Sequence, residues 1–169
     1  MNRLKEILRQ NPDIRSEYLK VAEGGVYLSP TMVQTVLGSC LGGVFYAPSK
    51  GIGAIFHAFL PYRVDYEAEG GNSVYRYVDT AIEHVISQFA RLGVKPAQLN
   101  VSLVGGANGL VDERGGVGLK NVDAAYQTLE KYRLRAAFTD VGGEKGRKVL
   151  FLSSTGQLKV TKLKGLNAK

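Results

Sequence analysis

The hydrophobic pattern of this chain changes period partway along, and that change limits its fold more than any other feature. Across residues 75–92, Val78, Ala81, Ile82, Val85, Ile86, Phe89 and Leu92 recur at helical spacing, which predicts an amphipathic helix with one buried stripe. Residues 120–132 repeat the pattern with Val122, Ala125, Tyr126, Leu129 and Tyr132. Elsewhere the apolar runs are short, rich in branched and aromatic residues, and bounded by Gly, Pro, Asn and Ser. They predict strands at 26–29, 32–37, 41–46, 52–60, 100–104, 135–141, 147–152 and 157–162. Strands first, then helices set among strands, define a mixed α/β (α+β) domain built in layers.

The chain has 169 residues, a length that suits one domain with a sizeable core. Residues 1–24 read as a helical appendage. Leu4, Ile7 and Leu8 share a helical face within 2–10, Asn11-Pro12 breaks it, and 16–22 form a second short turn ended by Gly24-Gly25. Residues 25–169 are then a single domain. The polar stretch 67–72 reads as an exposed loop.

Composition removes several function classes. One cysteine, Cys40, excludes an internal disulfide and fits a reducing compartment. The charged N-terminus has no apolar core of a secretory signal, and no apolar run approaches the ~20 residues that span a bilayer. These features predict a cytoplasmic protein with no direct membrane insertion. The net charge of +7 favours acidic partners. The basic residues are spread along the chain, however, with no arginine-rich or aromatic-interleaved run of a nucleic-acid groove. Two histidines and one cysteine are too few for structural zinc. Gly105-Gly106-Ala107-Asn108 lacks the lysine and serine of a phosphate loop. No metal and no cofactor are expected.

One pair of side chains carries chemistry. A hairpin joining 41–46 to 52–60 through a turn centred on Pro48-Ser49 sets Cys40 opposite His57, on one face of the sheet. A thiol of pKa ~8.5 is a weak nucleophile until a neighbouring imidazole takes its proton. A third group holds such a base in the right tautomer. Thr35 is the nearest candidate for that place, and Ser39 is a weaker one. Gly38 and Ser39 come just before Cys40, where main-chain N–H groups could cradle an oxyanion. On the residues alone, a lone cysteine such as Cys40 is more often a small buried hydrophobe than a nucleophile. His57, among Ile55, Phe56, Ala58 and Phe59, is more often a core histidine than a base. His84 reads as a partly exposed structural residue.

Five blocks in order resemble the CheD family of chemoreceptor glutamine deamidases. They are Thr35-Val-Leu-Gly-Ser-Cys40, Gly53-Ala-Ile-Phe-His57-Ala-Phe-Leu-Pro61, Val104-Gly-Gly-Ala-Asn108, Val117-Gly-Leu-Lys-Asn121 and Asp140-Val-Gly-Gly-Glu-Lys-Gly-Arg-Lys-Val149. The resemblance covers about residues 25–165. It implies a layered α/β sandwich with mixed or antiparallel sheets, similar to the deamidating domain of cytotoxic necrotizing factors. It further implies Cys40 as nucleophile, His57 as base and Thr35 as its orienting residue. The implied substrates are glutamines on the helical cytoplasmic domains of methyl-accepting chemoreceptors, converted to glutamate with release of ammonia. A CheC-type phosphatase is implied as a further partner. Gly42-Gly43 and Ile55-Phe56 depart from the family's usual residues. These departures motivate an alternative: a weakly active or inactive binding module that regulates chemoreceptors or such a phosphatase.

Overall fold

A computed structural model describes residues 3–69, 73–109 and 116–164. In chain order it has α1 (Arg3–Gln10), β1 (Arg15–Tyr18), β2 (Gly24–Tyr27), β3 (Thr31–Leu37), β4 (Leu41–Ala47) and β5 (Ile52–Ala58). There follow α2 (Val78–Arg91), β6 (Asn100–Gly105), α3 (Val117–Lys131), β7 (Phe138–Val141), β8 (Arg147–Leu152) and β9 (Gln157–Lys162). The strands form a four-stranded sheet, β1-β3-β8-β9, and a five-stranded sheet, β2-β5-β4-β6-β7. Both are mixed: β1–β3 and β6–β7 are parallel pairs and the rest are antiparallel.

Strand alternation sorts the side chains into layers. Val33 and Leu37 of β3, and Val149 and Phe151 of β8, meet Val44, Ile55 and Val104 of the larger sheet in one cluster between the sheets. The opposite face of the larger sheet presents Leu41, Phe45, Ala54, Phe56, Val101 and Leu103 to the buried stripes of α2 and α3. The outer face of the smaller sheet presents Met32, Leu150 and Leu152 to Leu4 of α1. The order is helix, sheet, sheet, helices, which is the layered α/β sandwich expected from the sequence.

Residues 3–24 are woven into this sandwich. α1 covers one sheet as above. The turn expected at 16–22 is instead the strand β1, which runs parallel to β3 with Glu17 beside Val33. Leu19 is 1% exposed and sits in the inter-sheet cluster. Sequence periodicity missed β1 because Arg15-Ser16-Glu17-Tyr18 is an edge segment with little burial and no apolar alternation. Part of the loop expected at 67–72 is the end of a 3-10 segment, Arg63–Glu69; residues 70–72 lie outside the described residues.

Candidate active site

The hairpin of β4 and β5 sets the geometry. Its loop holds Pro48 to Gly51, with Lys50 and Gly51 N–H donating to Ala47 O at 3.1 and 3.0 Å and Gly51 at φ +62°. That conformation favours glycine. Ala47 therefore pairs with Ile52, and Gly42, not Cys40, lies directly opposite His57. The sequence placed the turn one residue too early, so the paired register moves by two. A shift of two preserves the face, where a shift of one would have reversed it. Cys40 thus lies diagonal to His57, a spacing of roughly 7–8 Å between backbones that is within reach of an aromatic side chain such as the imidazole. Both belong to the inter-sheet layer, with Cys40 9% and His57 4% exposed.

The departures beside them are spatially consistent. Phe56 points to the helix side and packs near Phe45, ring centroids 6.3 Å apart, while His57 faces the other sheet. Gly43 makes room for that ring, since a Cβ there would lie 2.4 Å from Phe56 Cζ.

Thr35 reaches His57 from the facing sheet. It is fully buried, and its Oγ1 is 2.8 Å from His57 Nδ1 and 2.9 Å from Leu19 O. A carbonyl oxygen only accepts, so the single hydroxyl proton of Thr35 goes to Leu19. Thr35 must then accept from His57, which puts the imidazole proton on Nδ1. Nε2 is left with its lone pair, the form a base requires. The backbone of His57 is also fixed: its N–H donates to Glu23 O and its carbonyl accepts from Ala22 N–H, each at 2.8 Å. Burial pushes the His57 pKa from 6.5 down to about 4, against smaller upward pulls from the Glu23 carboxylate and the Leu19 carbonyl. The ring is neutral at physiological pH.

The peptides around Cys40 are held as firmly. Ala107 N–H donates to Gly38 O at 2.9 Å and Gly106 N–H to Cys40 O at 2.8 Å. Gly105, at φ +104°, allows this approach, because a Cβ there would stand 2.4 Å from Cys40 O. Gly38 is exposed and Ser39 half-buried, so Cys40 lies at the rim of the inter-sheet layer. Ser39 contributes its carbonyl, which accepts from Asn121 Nδ2 at 3.0 Å. The glycine turn at 142–143 is tied in behind: Gly142 N–H donates to Gly105 O and Asn108 N–H to Gly143 O. Arg147, 2% exposed, closes that turn through Gly142 O, Lys145 O and the Asp140 carboxylate.

Sequence reading missed Leu19, Asn121 and Arg147. Leu19 acts through a main-chain carbonyl, which no side-chain pattern reveals. Asn121 had a signal: helical spacing puts it beside Ala125 and Thr128 on the buried face of α3, where an amide is conspicuous. His84 is half-buried on α2, edge-on to Tyr75 at 5.4 Å. Among the described residues, no group of three or more His, Cys, Asp or Glu gathers to hold a metal ion. No helix of the described residues is long and apolar enough to cross a membrane.

A thiol, a neutral imidazole on the same face and a hydroxyl fixing the ring's tautomer are groups from which thiol-dependent acyl transfer can be built. The family model for CheD chemotactic sensory transduction matches residues 59–162, beginning two residues after His57. The probable chemoreceptor glutamine deamidase CheD of Maridesulfovibrio salexigens is 40% identical over 159 residues, covering 89% of this chain and 94% of that protein. The protein of the same name from Nitratidesulfovibrio vulgaris is 38% identical, covering 90% of this chain and 79% of its own. Among solved structures, the Bacillus licheniformis hypothetical protein YfiH aligns over 70% of this chain and 50% of its own, with 13% identity and a TM-score of 0.45. The chain belongs to the CheD family.

Proposed function

We propose that this protein hydrolyses glutamine side-chain amides on the cytoplasmic helical domains of chemoreceptors, yielding glutamate and ammonia, and that it works in the cytoplasm. The observation that carries the mechanism is the Thr35 hydroxyl between His57 Nδ1 and Leu19 O, which leaves Nε2 as the base. Relatives named for this activity support the substrate class. A CheC-type phosphatase is the partner the family resemblance adds.

The steps follow from the groups present. Cys40 Sγ attacks the amide carbon as its proton passes to His57 Nε2. The carbonyl electrons move onto oxygen, cradled by main-chain N–H groups of the Gly38–Cys40 turn. The oxyanion collapses, the C–N bond breaks, and the proton on Nε2 leaves with the nitrogen as ammonia. A thioester remains on Cys40. Water attacks it and gives a proton to Nε2. The C–S bond then breaks, glutamate departs, and the proton returns to sulfur. Thr35 accepts from Nδ1–H throughout and stabilises the transient imidazolium.

Incubation with receptor cytoplasmic fragments is expected to produce amide-to-acid mass changes at glutamine, and Cys40→Ala is expected to abolish them. An unchanged rate in Cys40→Ala rejects the mechanism. No mass change with the wild-type protein rejects the substrate.

A further inference from the structure

Asn121 is fully buried on α3, yet its amide joins two segments distant in sequence. Nδ2 donates to Ser39 O at 3.0 Å and to Phe59 O at 3.1 Å. Two carbonyl acceptors require the NH2 end of the side chain there, so the orientation of the amide is determined. The other end, Oδ1, is buried with no hydrogen-bond partner among the described residues. An orphaned buried acceptor costs stability that an apolar residue would not. The two N–H bonds are therefore what the amide contributes.

Ser39 O belongs to the Ser39–Cys40 peptide. There is no cis peptide among the described residues, and in a planar trans peptide the N–H points opposite to the C=O. Holding Ser39 O against α3 therefore aims the Cys40 N–H away from α3. That N–H is the main-chain donor of the residue that carries the sulfur. Gly38 on one side has open space where a Cβ would stand, so no side chain packs there to fix the next peptide. Gly38 O and Cys40 O are held by main-chain donors from the end of β6. Only the middle carbonyl of the three depends on a side chain.

We infer that Asn121 is a positioning residue for deamidation, fixing the Ser39–Cys40 peptide plane so that the Cys40 N–H meets the oxyanion of the tetrahedral intermediate. Through Phe59 O it also ties this peptide to the strand end two residues beyond His57. The inference rests on Cys40 as the nucleophile, but it makes a separate claim. Asn121 serves the oxyanion and leaves the thiol–imidazole pair alone.

The test compares full-length wild type, Asn121→Ala and Asn121→Ser, using a receptor cytoplasmic fragment and, separately, iodoacetamide. In folded Asn121→Ala, kcat is expected to fall about a hundredfold with KM little changed, the size of losing an oxyanion donor. Alkylation of Cys40 forms no oxyanion, so its rate against pH is expected to match wild type. Asn121→Ser, which keeps one donor, is expected to fall between. An unfolding midpoint that drops while kcat of the folded protein stays unchanged overturns the inference. So does an alkylation rate that falls in step with kcat. A wild-type measurement needs no variant to fold. A peptide with an aldehyde in place of the glutamine carboxamide forms a hemithioacetal with Cys40, and the Cys40 amide proton resonance is expected to move downfield. An unmoved resonance overturns the inference. Failure of the underlying reading looks different: Cys40→Ala stays active, or wild-type alkylation is indifferent to His57→Ala.

Discussion

Thr35→Val separates an orienting hydroxyl from a space-filling side chain, because valine keeps the shape and removes only the oxygen. The change removes the hydroxyl that Leu19 O and His57 Nδ1–H share, now 2.9 and 2.8 Å from Oγ1, and leaves those two buried groups only each other as partners. That remaining contact softens the loss, so stability should fall by about 1–3 kcal/mol, the cost of one unmade buried hydrogen bond, with no cavity term. A domain of this size commonly has about 5–15 kcal/mol in hand, so the variant should remain folded. The kinetic effect is a difference between two states of the ring. A hydrogen bond from neutral imidazole is worth about 0.5–1.5 kcal/mol, and one from imidazolium about 1.5–3. Losing that difference, and with it the preference for the Nδ1–H tautomer, predicts a kcat loss of about tenfold to a hundredfold. Thr35→Ser keeps the oxygen and should lose little kcat. Urea unfolding measures the first effect, and initial rates of ammonia release from a receptor fragment measure the second. A folded Thr35→Val with wild-type kcat would refute the assignment of the ring's tautomer to Thr35.

Other consequences are equally direct. His57 is held below its unfolded pKa, so the unfolded chain takes up the proton first as pH falls. Its contribution is complete above pH 6.5 and is lost between 6.5 and about 4, on the order of 3 kcal/mol in all. Urea midpoints at either end of that range should therefore differ more in wild type than in His57→Gln. The acid limb of kcat/KM should also lie near pH 4, and a limb near 6.5 would contradict the buried neutral ring. Gly43→Ala places a Cβ 2.4 Å from the Phe56 ring and should cost about 1–3 kcal/mol by overpacking, read as a lower unfolding midpoint. Deleting residues 1–10 should uncover Met32, Leu150 and Leu152 and lower stability while sparing kcat. Deleting 1–19 should also remove the Leu19 carbonyl and depress kcat of whatever folds. Equal kcat in the two truncations would exclude the N-terminal segment from the site.

What the sequence revealed depends on how far each signal travels along the chain. β8 and β9 were legible to the residue, because apolar alternation between turn residues is a local property. The two long helices were legible as stripes, but their starts were not. Val78 begins α2 after a separate 3-10 turn at Val74–Arg76, and Val117 begins α3 three residues before the apolar pattern suggested it. The thiol and imidazole shared a face as expected, although the hairpin register was displaced by two, since Gly51 rather than Pro48 governs the turn. The reach of Thr35 to His57 is not legible in the same way. It joins β3 of one sheet to β5 of the other, so it depends on how two sheets stack. The Leu19 carbonyl depends on that stacking too and is backbone, and the Asn121 amide depends on how α3 packs against the larger sheet.

This dependence also explains why the site sits where it does. A lone imidazole on an exposed strand keeps its ordinary pKa and exchanges tautomers freely. Here the face that buries His57 is the face that joins the sheets, so desolvation lowers its pKa and Thr35 arrives from the opposite layer. Val33, Leu37, Ile55 and Phe151, which hold the sheets together, also set the distance between Thr35 and His57. A cavity made in that cluster, such as Phe151→Ala, removes a ring that is fully buried and should cost about 3–5 kcal/mol. Because Phe151 touches neither sulfur nor imidazole in the proposed chemistry, a local reading of the site predicts normal kcat in the folded fraction. Stacking that sets the Thr35–His57 distance predicts a kcat loss that follows the relaxation of the sheets, with Phe151→Leu losing less. Measuring kcat under conditions where both variants are fully folded decides between them.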